Sequence, residues 1–138
     1  MITVSVPDTR EKLEQVIRVL DEVVEHNKRF NMGVWVSKWS CGTTACAIGY
    51  AAQDDWFIDR GFYLEADTMS GTSKPAYFDF RDFGAVTEFF AIDLYQANYL
   101  FLGTCYKGGY DLTAEVVKER INNVLKRGFP ERMYNEQN

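Results

Sequence analysis

Apolar side chains recur at three- and four-residue spacings in two long stretches of the chain. Leu13, Val16, Ile17, Leu20, Val23 and Val24 form one stripe with charged residues opposite, the pattern of an amphipathic helix. Asp8 precedes it as a cap, with Glu11 three residues on, so the spacing predicts a helix over about residues 8–28. Val116, Val117, Ile121, Val124 and Leu125 form the second stripe, opened by Thr113 and closed by Gly128 and Pro130. Two shorter helices are expected between them. One covers about 83–91 behind Asp82; the other starts at Asp93, with Gln96 in the box position, and stops at Gly103.

The middle of the chain is less regular. Trp35 and Trp39, four apart in a connector over 30–39, would share one face of a helical turn. Cys41-Gly42-Thr43-Thr44 reads as a helix opening capped by Thr43, with Ala45, Ile48, Gly49 and Ala52 on one side. Three of these four are small, which lets another backbone come close. The aromatic runs 62–66 and 75–80 flank a Ser/Thr/Gly-rich stretch and suggest a hairpin. The expected fold is therefore mainly α, a single domain over 1–130 of about five helices with a small β-hairpin in the middle. An α+β arrangement is the alternative, and 131–138 reads as a loose tail.

Composition narrows the function classes. The chain has 138 residues and contains ten Phe, eight Tyr and three Trp. No apolar run approaches the ~20 residues of a bilayer span, so no membrane partner is expected. No basic n-region and apolar core opens the chain, so a cytoplasmic location is expected. The net charge is −5, against direct nucleic-acid binding, which calls for a basic face. That charge is concentrated. Residues 54–93 hold nine acids (Asp54, Asp55, Asp59, Glu65, Asp67, Asp79, Asp82, Glu88, Asp93) and three bases (Arg60, Lys74, Arg81). Such a segment is either a solvated face or a surface for a basic partner.

Candidate chemistry is sparse. Cys41, Cys46 and Cys105 are an odd set of thiols, so a complete disulfide framework is excluded. With His26 they could supply four metal ligands, although C-x₄-C is the loose end of zinc-knuckle spacing and His26 and Cys105 are isolated. Cys41 at a helix start would be an activated nucleophile if His26, the chain's one histidine, met it. Cys41 equally fits as a small buried hydrophobe, and His26 as a complement to the dipole at a helix C-terminus. Phosphate-binding loops are absent, and no cofactor is expected. Tyr63, Tyr77, Phe78, Tyr106 and Tyr110 fall in loops or hairpin edges, where Tyr commonly serves contacts.

The run Phe30-x-Met32-x-x-Trp35, followed by Cys41-Gly42-Thr43-x-Ala45-Cys46-x-x-Gly49, resembles a small-protein family of bacteria and their phages. Further similar pieces are Phe89-Phe90-Ala91-Ile92, Gln96-Ala97 with Leu100-Phe101, and Arg120-Ile121 behind Thr113, so the resemblance covers about 28–127. It implies a single helical domain and carries over no catalytic residue. The Asp67–Lys74 insert departs from the pattern and suggests a specialised member.

The expected function follows from small size, localised acidity and the lack of a convincing active site. It is a phage or mobile-element accessory protein that docks on a host protein with a basic surface, in the manner of anti-CRISPR or anti-restriction inhibitors. Asp54, Asp55, Asp59, Glu65, Asp67 and Asp79 would meet Lys and Arg, with Tyr77, Tyr106 and Tyr110 as anchors. The alternatives are a Cys41-dependent enzyme and a zinc-stabilised adaptor.

Overall fold

The two strongest apolar stripes pack on each other. α1 (Ser5–Glu25) buries Leu13, Val16, Leu20 and Val23, and α6 (Ala114–Arg127) buries Val117, Ile121 and Val124 against it. Each such side chain contributes about 1.5–3 kcal/mol on leaving water. The computed structural model describes residues 5–39, 42–67, 72–107 and 112–131. The expected C-terminal tail from 132 onward, Cys41, Tyr110 and residues 68–71 of the Ser/Thr/Gly-rich insert lie outside them.

The mainly α expectation is overturned. Beside six α-helices, the described residues form a six-stranded mixed sheet, which makes this an α+β fold. The strands are β1 (Arg29–Phe30), β2 (Val36–Trp39), β3 (Gly42–Ala45), β4 (Phe62–Asp67), β5 (Thr72–Tyr77) and β6 (Phe80–Arg81). Their order is β1-β3-β2-β5-β4, with β6 also on β5. β1 runs parallel to β3 and every other pairing is antiparallel.

Of the residues expected to open a helix at 41–44, Gly42, Thr43 and Thr44 instead belong to β3, with Thr43 opposite Lys38 and Thr44 opposite Ser37. Thr43 is no cap; the cap is Cys46, and α2 (Ala47–Ala51) starts one turn later. The physical reason is pairing. β-Branched Thr43, Thr44 and Val36 suit extended backbone, and partners on both sides of β3 outweigh a short helix's weak propensity. Trp35 and Trp39 accordingly share no helical turn: Trp35 lies at the bend before β2 and Trp39 lies in β2. Two-residue periodicity is hidden because neighbours Val36 and Ser37 are both buried.

One close approach joins sheet and helix. A Cβ on Gly49 of α2 would lie 1.8 Å from the Trp35 carbonyl oxygen and 2.8 Å from Val36 Cγ2. The same carbonyl accepts the Cys46 N–H at 3.3 Å, and Cys46 Sγ accepts the Gly49 N–H at 3.4 Å. Asn31 N–H donates to the Ala45 carbonyl at 3.1 Å, and Met32 is buried. The residues of the Phe30–Gly49 motif thus build this junction.

Behind β4 and β5 lies an aromatic core. Phe62 stacks on Phe89 of α4 (Phe83–Phe90) at 4.7 Å, and Phe57 of α3 (Asp55–Ile58) meets the Phe89 ring at 5.7 Å. Phe90 meets Phe101 of α5 (Leu94–Phe101) at 5.6 Å. Long cations and a hydroxyl serve helix ends. Lys12 Nζ donates to the Phe89 carbonyl at 2.6 Å and Thr9 Oγ1 to the Phe90 carbonyl at 2.7 Å, satisfying the end of α4. Asp93 and Gln96 form the expected capping box, and Thr113 caps α6. Asp82 does not cap: its φ is 58°, and its N–H donates to the Pro75 carbonyl.

Gly49→Ala is expected to destabilise the protein by about 3 kcal/mol or more, because backbone rather than a flexible side chain must yield. Urea unfolding checks this; a loss below about 1 kcal/mol would show that the junction is slack.

Candidate functional site

One end of the β4–β5 hairpin gathers the free charge and the exposed rings. α3 is capped by Asp54, and after Gly61, at φ +92°, the chain enters β4. Phe62 faces Tyr77 in register, so the α3–β4 turn lies beside the β5–β6 turn at Phe78-Asp79. Exposed here are Phe78 at 72%, Ile58 at 44%, Phe80 at 43% and Tyr63 at 39%. Phe78 also adopts φ +54°. A bulky residue there costs about 1–2 kcal/mol relative to ordinary backbone. Glycine or asparagine would hold the turn without that cost. The Phe78 ring leans edge-on against Tyr77 at 4.6 Å, and Tyr77 leans on Phe89 at 5.3 Å.

The cations of this end are largely committed. Arg81 makes a fork with Glu65, Nε to Oε1 at 2.7 Å and Nη2 to Oε2 at 3.1 Å. Its Nη1 donates to the Phe78 and Phe80 carbonyls, both at 2.8 Å, so the pair also clamps the turn. The hydrogen bond from Arg81 holds the Glu65 carboxyl below the usual carboxylate range. Arg60 lies over the Trp56 ring at 3.8 Å and donates to the Trp56 carbonyl at 2.9 Å. Lys74 faces Glu65 across the strand pair. Asp55, Asp59 and Asp79 are exposed and make no ion pair among the described residues.

The other expected contact residues are placed differently. Asp54 takes Arg18 NH2 at 2.7 Å and the Trp56 N–H at 3.0 Å, tying α1 to α3. Tyr106 is buried beneath Arg120, its hydroxyl donating to the Leu100 carbonyl at 2.7 Å. It anchors α5 to α6 and offers no contact surface. Asp67 ends β4, its side chain outside the described residues, as is Tyr110. Phe80 and Ile58 are the members that spacing did not single out as contacts; Phe78 and Tyr63 are among the hairpin-edge aromatics. The signal for Phe78 lay in Tyr77-Phe78-Asp79-Phe80, where apolar residues flank a two-residue turn.

The thiols separate by environment. Cys46 is 2% exposed, and burial pushes its thiol up to about 11, which removes it as a nucleophile near neutrality. Cys105 is exposed. His26 is exposed in the turn after α1, while Cys41 lies outside the described residues. Among the described residues no three His, Cys, Asp or Glu side chains gather as a metal site. No helix among the described residues is long and apolar enough to cross a membrane. No protein-family model, curated protein or solved structure matches the chain.

Two outcomes are expected. In a Cys41→Ser variant at pH 8, iodoacetamide should modify Cys105 readily and Cys46 only after unfolding, as peptide mass mapping would show. Native labelling of Cys46 would contradict its burial. Glu65, with its lowered pKa, adds stability above the ordinary carboxylate value and loses it as pH falls through the folded value. Glu65→Gln should therefore be less stable than the parent at pH 7, with the gap closing as pH falls through the lowered Glu65 value; a gap constant with pH would deny the charged pair a role.

Proposed function

We propose that the chain is a protein-docking module that presents this acid-rimmed aromatic end to a basic protein surface. The observation that carries the reading is Phe78, which is both 72% exposed and held at φ +54°. Folding gains little from that placement, whereas a partner gains an aromatic anchor projected from a turn clamped by Arg81. Asp55, Asp59 and Asp79 around it supply steering toward Lys and Arg. The concrete form is a phage-type accessory protein that covers the phosphate-holding surface of a host defence complex, as expected from the charge distribution. Competition with nucleic acid for that surface would be the mode of inhibition.

The test compares capture from bacterial host lysate by the parent chain, by the reversed variant Asp55→Lys/Asp59→Lys/Asp79→Lys, and by Glu115→Lys/Glu119→Lys on α6. The parent and the α6 variant should retain one stoichiometric, salt-sensitive protein, and the reversed variant should lose it. The association rate with the purified partner should fall at least about tenfold on reversal. A partner held equally by all three would overturn the reading.

A further inference from the structure

The Pro75 carbonyl accepts the Asp82 N–H at 3.1 Å and so points toward the β6 side of β5. In an antiparallel pair, residues that do not bond each other aim their main-chain groups apart. Leu64, directly opposite Pro75, therefore turns its N–H and C=O away from β5. Alternation does the same for Phe62 and Ala66. β4 is the last strand in the order, so these three peptide groups line an edge that no other element bonds among the described residues. The strand, Phe62-Tyr63-Leu64-Glu65-Ala66-Asp67, contains no Pro and no Lys, two of the usual devices that blunt an edge. One charge on it, Glu65, is already turned onto Arg81.

We propose that β4 takes an extended, basic segment of the partner as an added strand, an inference that rests on the docking reading above. Phe62 points inward to Phe57 of α3, at 6.1 Å between rings, and Tyr63 points to the opposite face. An added strand would thus alternate between two environments. On the α3 side its residues meet exposed Asp55, Ile58 and Asp59; on the other they meet Tyr63 and the Glu65–Arg81 pair. Lys or Arg at alternate positions, with apolar residues between, satisfies both. A second copy of this chain does not fit, because its β4 would bring Asp55, Asp59 and Glu65 against the same acids.

The probe is the peptide Lys-Val-Lys-Val-Lys-Val, with a counterpart N-methylated at alternate residues. Binding of the first should slow amide exchange at Leu64 and Ala66 by about tenfold, read by hydrogen–deuterium exchange NMR. N-methylation should abolish binding, as should Ala66→Pro, which removes an N–H that the fold does not use. If Ala66→Pro does not fold, the N-methylated peptide decides. Failure of the first peptide to bind, or binding that leaves Leu64 and Ala66 exchange unchanged, overturns strand addition. Binding that is lost in Asp55→Lys/Asp59→Lys/Asp79→Lys but indifferent to N-methylation also overturns it, and leaves the docking reading standing. Binding indifferent to the charge reversal removes the docking reading itself.

Discussion

The contact between the Trp35 carbonyl and Gly49 is the constraint on which the rest of the fold depends. That carbonyl accepts the Cys46 N–H while lying against the bare Cα of Gly49. A side chain at Gly49 would push α2 off the sheet, and α2 also packs on α1. With α2 seated, β3 lies between β1 and β2, and the Phe57–Phe62–Phe89–Phe90 rings close beneath β4 and β5. The Phe30–Gly49 motif thus has a structural meaning independent of catalysis: its glycine, its small residues and its cysteine cap are what a close helix–sheet junction needs.

The helices with a one-sided stripe were legible in the sequence, and so were the Asp93 and Thr113 caps, because both signals are local. The stretch from 29 to 45 was not. Its strands are short, both faces of β2 are covered at Val36 and Ser37, and its pairing to β5 reaches across more than thirty residues. Small residues around Gly49 did signal a near backbone, but not that the backbone was a strand entry. At the candidate site the excess of acid was visible, whereas its division was not. Asp54 and Glu65 are spent on Arg18 and Arg81, and only the fold shows which carboxylates are left over. Tyr106 misled for a related reason: a tyrosine in a turn serves a surface or a core depending on what covers it, here Arg120.

The same end of the molecule combines three features of different origin. Charge is left over because the local arginines are turned to other duties, rings are exposed because a two-residue turn carries them, and one strand edge is open because β4 ends the sheet. Arg81 links all three. It neutralises Glu65 on β4, holds the carbonyls of Phe78 and Phe80, and lies on the strand that takes the far side of β5. A partner engaging this end would therefore meet a clamped surface, with little ordering left to be done on binding.

The central claim is that Phe78 is kept at a strained position for what it contacts outside the chain. Comparing urea unfolding of Phe78→Gly with the parent tests that most directly. The account predicts unchanged or higher stability, by up to about 1 kcal/mol, since glycine relieves the positive φ. A loss of about 1 kcal/mol or more would mean that Phe78 serves the fold, and would contradict the account.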